Sequence, residues 1–344
     1  MSSISKVPDK PFKTYEQQLD WLKNHYHLNI GDEDKAVAAL KSFTYYDLIN
    51  GYKECFMQEV VQPDGTKQFQ YSPDITLDFL YNFCYIDKTI QSTLFKFSTI
   101  VETSFKTKMA YVISERFGVF EDEYLDDSHY FKSNNGIRYA DIKQTFIEAY
   151  SDSRFLKQPT KHYVKNHNHV PAWILFKNVS FSKVINLFQL LNKTEKEPVV
   201  NLLFPTKVLT YDEKVVLAIN TLNIVRCFRN KIAHNLKFVT YRCPNRLSPG
   251  IITKMLPSTL ITAKEMKIKK VGINDIYSHI LSIILLLGDP RLIKLFVQSL
   301  SIRFEAVNEV WDHNNGLPIF QKYIQITKLP KDITQRLDNF CNAN

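Results

Sequence analysis

The residues best suited to chemistry stand close together. Arg229, Asn230 and His234 fall within the run Arg229-Asn230-Lys231-Ile232-Ala233-His234. A guanidinium presents a planar fork of N–H donors that fits phosphate oxygens. An imidazole moves a proton near neutral pH. An amide beside them orients either group or the substrate. These are the needs of metal-free RNA cleavage, in which a 2′-OH is deprotonated, attacks its own phosphate and expels the 5′-oxygen. The same residue types also fit a plainer reading: a helix with a basic solvent face and one surface histidine.

The element that must carry them is legible from hydropathy. From about Asp212 to Phe238 the chain contains no Gly or Pro. Ile224, Val225, Phe228 and Ile232 recur at helical spacing and form the buried stripe of an amphipathic helix. Arg226, Arg229, Asn230, Ala233, His234 and Lys237 fall on the other side. Asn230 and His234, four apart, share a face. Arg229 and His234, five apart, are separated by about 140° on an ideal helix. One helix does not easily close both around one phosphate. A second copy facing the first would bring Arg from one chain near His from the other.

Arg-Asn-x-x-x-His at the end of an apolar helix resembles the Arg-x4–6-His signature of HEPN ribonuclease domains. Other pieces resemble Abi-like proteins, the AbiD/AbiF abortive-infection family: Lys10-Pro11-Phe12 with Tyr15-Glu16-Gln17-Gln18-Leu19, then Tyr45-Tyr46-Asp47-Leu48-Ile49-Asn50-Gly51-Tyr52. Leu80-Tyr81-Asn82-Phe83, Pro171-Ala172-Trp173 and Ser180-Phe181-Ser182 follow in family order, so the resemblance covers the chain to about Lys237. Asp47 stands where the family usually has Arg, Lys106 where Arg is usual, and Ser182 where Gly is usual.

The resemblance implies a metal-independent endoribonuclease of a bacterial anti-phage, toxin-like system, with Arg229, Asn230 and His234 catalytic. It implies no cofactor and no metal, an RNA substrate, and a small structured RNA or a protein antitoxin as partner. It places Glu102 beside the cleft, where it would orient Arg229, and makes Lys106, Arg226 and Lys237 further orienting or RNA-contacting residues. It implies a homodimer with a shared site. The alternative from another class is a HEPN-fold protein that binds or scaffolds RNA without cleaving it.

Composition bounds these readings. The 344 residues are 44% hydrophobic, enough for a sizeable core, and a net charge of +9 favours an anionic partner such as nucleic acid. Cys55, Cys84, Cys227, Cys243 and Cys341 are widely spread, without Cys-x-x-Cys, which points to a reducing cytoplasm rather than a disulfide framework or zinc site. The opening from Met1 to Lys13 is polar, unlike a signal peptide. The most apolar run, Ile280 to Leu287, is too short to span a bilayer.

The chain is expected to be mainly α: a HEPN-like helical bundle over residues 73–240, a small N-terminal region with a β-hairpin over 1–72, and a helical C-terminal extension over 241–344. Tyr15 to Asn24 reads as a helix, and Asp32 or Asp34 caps a second through Leu40. Tyr45, Tyr46 and Tyr52 suit either base stacking or a core. Pro63-Asp64-Gly65 marks the hairpin, the one sheet expected in the N-terminal half. Phe79, Phe83, Ile86, Ile90, Leu94, Phe97, Val101, Phe105 and Met109 mark a long helix from Ser72 to about Phe117, with Asp74 as its cap, Gly118 as its stop and a break expected near Thr89 to Ser92. Glu102 and Lys106 are spaced for a surface ion pair. Glu121 to His129 and the basic stretch Lys157 to His169 read as loops, and Arg138 to Tyr150 as a helix. Trp173 to Leu191 reads as one buried helix with Trp173 inward, interrupted afterwards by Pro198 and Pro205. Beyond Thr240 a loop or short strands run to Ile261, followed by the basic cluster Lys264 to Lys270. Asn274 caps a helix to Leu287, Pro290 opens another to about Val307, and Leu317 to Asn344 is mixed.

Overall fold

The computed structural model describes residues 8–308 and 318–343. Helix α1 (Tyr15–His25) opens on a capping box in which the Thr14 hydroxyl accepts from the Gln17 N–H and the Gln17 side chain accepts from the Thr14 N–H. Asp32 caps α2 (Glu33–Ser42) through the Lys35 N–H. A wide turn follows over Tyr46–Asn50, where the Gly51 N–H reaches back to the Tyr46 carbonyl at 2.9 Å. Only glycine fits at Gly51, since a Cβ there would run into the Asp47 carbonyl oxygen. After α3 (Lys53–Phe56), strands β1 (Met57–Val61) and β2 (Lys67–Tyr71) form the expected antiparallel hairpin, with Met57 opposite Tyr71 and Val61 opposite Lys67.

The apolar stripe from Phe79 to Met109 is buried throughout, and it builds α4 (Leu77–Phe117), 41 residues long. Two expectations about α4 are corrected. The Thr76 hydroxyl, not Asp74, accepts from the Phe79 N–H at 2.9 Å, so the helix starts later. It also runs unbroken through Thr89 to Ser92. Gly118, with φ +100°, ends it as expected.

The stretch expected as an acidic loop instead forms α5 (Glu121–Tyr124) and a tight turn over Asp127–His129. Three carboxylates in the first turn of α5 favour a helix N-terminus, and Glu123 accepts from the Phe120 N–H. A second small ladder pairs β3 (Ser133–Asn134) with β4 (Ile137–Arg138), so the hairpin is not the one sheet of the N-terminal half. Its turn is Asn135-Gly136, both at positive φ, a signal present in the sequence.

Helix α6 (Tyr139–Ser151) matches expectation, whereas α7 (Thr160–Asn166) occupies the stretch read as a basic loop. The single helix expected from Trp173 to Leu191 is two: α8 (Ala172–Asn178) and α9 (Phe181–Leu190), separated by extended backbone at Val179 and Ser180. Trp173, expected inward, is 46% exposed. Helix α10 (Lys193–Leu203) accommodates Pro198 rather than ending at it. Helix α11 (Tyr211–Ala233) begins on a Thr210–Glu213 capping box.

Helix α12 (Pro249–Met255) replaces part of the expected loop or strands. The Lys264 to Lys270 cluster is built around a wide turn over Glu265–Lys269. Asp275, not Asn274, caps α13 (Ile276–Leu287); the Asn274 amide instead donates to the Cys243 carbonyl at 2.8 Å. The chain continues as α14 (Pro290–Asn308), α15 (Ile319–Thr327) and α16 (Ile333–Ala343). The protein is therefore mainly helical, with a hairpin near the N-terminus and helices at the C-terminus. Residues 1–7 of the polar opening, and Leu317 at the start of the tail, lie outside the described residues. No described helix is long and apolar enough to cross a membrane.

Internal contacts divide the chain into two units. The first gathers the described residues of 1–89, 235–237 and 304–326. In its core Phe83 packs against Tyr52, Phe56, Phe79 and Tyr323. The buried carboxylate of Asp87 accepts from the Tyr52 hydroxyl at 2.9 Å and the Tyr323 hydroxyl at 3.2 Å. The second unit gathers the described residues of 90–234, 238–303 and 327–344. Within it α11 packs against α13, α10 and α9, while Phe105 of α4 meets Phe181 and Phe188 of α9.

Candidate functional site

Packing beneath α11 sets which way its polar residues point. Phe228 is fully buried, stacked on the His279 ring at 4.9 Å and edge-on to Phe238 and Tyr241. With Phe228 held inward, Arg229 and Asn230 emerge at the half-buried margin of the helix.

The helix ends at Ala233, short of the expected Phe238. His234 is the C-cap, and Asn235 turns left-handed at φ +52°. The Asn235 amide donates to Asp47 at 2.9 Å, and its oxygen accepts from Lys88. Asp47 thus fastens Asn235, the residue that follows the C-cap. His234 is left exposed on the last turn, and its imidazole has no hydrogen-bond or ion-pair partner among the described residues. Lys237, placed on the helix face by periodicity, lies beyond the helix and is ion-paired with Glu54.

Arg229 is held from two sides. Its Nη2 lies 3.1 Å from Glu102 Oε2, and its Nη1 donates to Asn230 Oδ1 at 3.1 Å. The other Glu102 oxygen takes Lys106 Nζ at 2.8 Å, and Lys106 also donates to the Val179 carbonyl at 2.8 Å. A polar chain therefore runs from the break between α8 and α9 to α11: Val179, Lys106, Glu102, Arg229, Asn230. Glu102 and Lys106 are only 14% and 13% exposed, so these contacts are largely shielded from water. The Arg229 Nε–H is buried and has no acceptor among the described residues. The guanidinium is fixed in direction and keeps donor capacity for an oxyanion.

Arg226 is not brought to this cluster. Its Nε donates to Asn223 and its Nη2 approaches Cys227 Sγ at 3.6 Å. The neighbouring Cys243 thiol, helped by Arg226, lowers the Cys227 thiol below its usual range against the opposing effect of burial. Cys243 is pushed up by its Cys227 neighbour and by burial. Sequence spacing gave no signal for this pair, because the cysteines stand far apart in the chain. Val179 was equally hidden, since its carbonyl is reachable only because α8 ends there.

The matched region can now be set against this geometry. Over residues 38–239, more than half of the chain, the sequence matches the model of the family described as Abi-like protein. The chain belongs to the Abi-like family. No curated protein and no solved structure matches it. Membership of this abortive-infection family points to phage resistance as the role. The matched span of this Abi-like chain contains Glu102, Lys106, Trp173, Arg229, Asn230 and His234, and it ends before Tyr241, Cys243 and α12 to α16.

Proposed function

We propose that the Abi-like chain is a metal-independent endoribonuclease of HEPN type, acting in abortive infection. The observation that carries this reading is the guanidinium of Arg229, held by Glu102 and Asn230 with an N–H still without an acceptor among the described residues, on a helix whose C-cap imidazole likewise has no partner among them. In the reaction, the 2′-OH of RNA loses its proton and the 2′-oxygen bonds to the adjacent phosphorus. Negative charge grows on the five-coordinate phosphorane, where Arg229 is aimed. The bond to the 5′-oxygen breaks, and that oxygen leaves carrying a proton. The products are a 2′,3′-cyclic phosphate and a 5′-OH. His234 is the proton-transfer residue, Asn230 orients Arg229, and Glu102 fixes it. RNA is the substrate, and a small structured RNA or an antitoxin protein holds the activity in check.

Because Arg229 and His234 diverge around α11, the working cleft combines Arg229 of one protomer with His234 of another in a homodimer. The test begins with purified protein and total RNA in EDTA, with the cleavage ends mapped. His234→Ala is expected to lower the rate by roughly 100- to 10,000-fold with RNA affinity nearly unchanged. Mixing inactive Arg229→Ala with inactive His234→Ala should then restore about a quarter of the wild-type activity, since half the dimers regain one intact site. Wild-type ends lacking cyclic phosphate, or full activity in folded His234→Ala, would refute the mechanism. An RNA-binding scaffold would instead show His234→Ala silent and Arg229→Ala impaired through affinity.

A further inference from the structure

Helix α8 buries Ala172, Ile174, Leu175 and Phe176 and exposes Trp173 and Lys177. The two exposed residues are four apart and share a face. Among the described residues the Trp173 indole N–H has no acceptor, its ring stacks on no other ring, and Lys177 has no ion-pair partner.

Trp173 and Lys177 line a cleft of about 320 Å³ together with Glu102, Thr103, Lys106 and Thr107 of α4. The α4 side offers acceptors. The Thr103 hydroxyl donates to the Thr99 carbonyl and the Thr107 hydroxyl to the Thr103 carbonyl, each at 2.9 Å, so both oxygens keep lone pairs for an incoming N–H. Lys106 is committed to Glu102 and the Val179 carbonyl, which leaves Lys177 as the cation for a phosphate. Glu102 also holds Arg229 at 3.1 Å, so the cleft and the guanidinium share one carboxylate.

We infer that this cleft is a nucleobase subsite: Trp173 stacks one unpaired base of single-stranded RNA next to the phosphate bound by Arg229. The inference rests on the ribonuclease reading and assigns that enzyme a substrate class. A duplex keeps its bases stacked inside the helix and offers no base face to the indole. A splayed single strand does, and stacking on one aromatic ring tolerates any base. The threonine acceptors favour bases that carry an exocyclic amine.

The chain has three tryptophans, so Trp21→Phe with Trp311→Phe leaves Trp173 as the sole indole reporter. That full-length protein is titrated with 2′-O-methyl oligoadenylate, which cannot be cleaved by its own 2′-OH, and with an abasic strand of equal length. The expected result is quenching by the base-bearing strand and little by the abasic one. Trp173→Ala should weaken binding of the base-bearing strand by about 5- to 150-fold, the usual worth of one stacked base. Trp173→Phe should recover most of that loss. Equal quenching by both strands, or unchanged affinity in Trp173→Ala, overturns the inference. Loss of phage protection in Trp173→Ala with RNA affinity intact would assign the indole to a protein partner and overturns it too. The two readings fail separately. Base-dependent quenching in a protein that cuts no RNA leaves the subsite standing without the nuclease, and undiminished cleavage by Trp173→Ala leaves the nuclease without the subsite.

Discussion

Glu102 divides its two oxygens between Lys106 and Arg229. Spacing alone showed only the first of these contacts, because Glu102 and Lys106 are four apart on one helix; the second was legible only through the family resemblance, since Arg229 arrives from a helix more than a hundred residues later. Glu102→Gln keeps the shape and removes the charge. If the proposed ribonuclease activity holds, losing a charge-assisted hydrogen bond of about 1.5–3 kcal/mol predicts cleavage about 10- to 150-fold slower, in kcat more than KM. A stopped-flow cleavage assay beside a thermal melt checks this; an unchanged rate in a normally melting protein would remove Glu102 from the machinery. Trp173 was misread for a physical reason. In an apolar stretch the positions before a helix break fit either face, and the break at Val179 turns α8 so that Trp173 faces out.

Elements with long apolar periodicity were the most legible. The stripe of α4 and that of α11 are buried as read, apart from the half-buried Ile232, while ends and caps moved: Thr76 for Asp74, Asp275 for Asn274, Ala233 for Phe238. Such shifts arise because caps depend on which side chain reaches the first free N–H groups, which spacing does not encode. The packing of α4, α11 and α13 contains one titratable group that no apolar pattern announces. His279 is fully buried under Phe228, and its Nε2 lies 2.9 Å from Ser98 Oγ. The Ser98 hydroxyl donates to the Leu94 carbonyl, so the imidazole donates from Nε2, and burial favours its neutral form. Burial depresses its pKa from 6.5 to about 3. Its contribution to stability is therefore complete above pH 6.5 and is lost progressively as pH falls towards 3. His279→Leu should remove a pH dependence on the order of a few kcal/mol over that window. Urea unfolding at pH 7 and pH 4.5 checks the sign: wild type should lose more stability on acidification than the variant, and parallel losses would refute the assignment.

Considered whole, the molecule uses its C-terminal third as more than an appendage. The family match stops at residue 239, yet Phe304 and the described residues of 318–326 belong to the first unit. There Tyr323 is buried against Phe83 and bonded to Asp87. The tail read as mixed in sequence because its two helices are short, so neither repeats its apolar period often enough to stand out. Tyr323→Phe removes one hydrogen bond to a buried carboxylate and should cost about 1.5–3 kcal/mol, read as a lower urea midpoint with an unchanged slope. An unaltered midpoint would show that Asp87 does not depend on this hydroxyl. The same contact has a consequence in the order of synthesis. On the ribosome the segment up to Thr89 is made well before the described residues of 304–326 that complete its core. At ordinary elongation rates the wait is some tens of seconds. The first unit therefore cannot close its core until those later residues have been made, and a message cut short before them would yield a product in which it stays open.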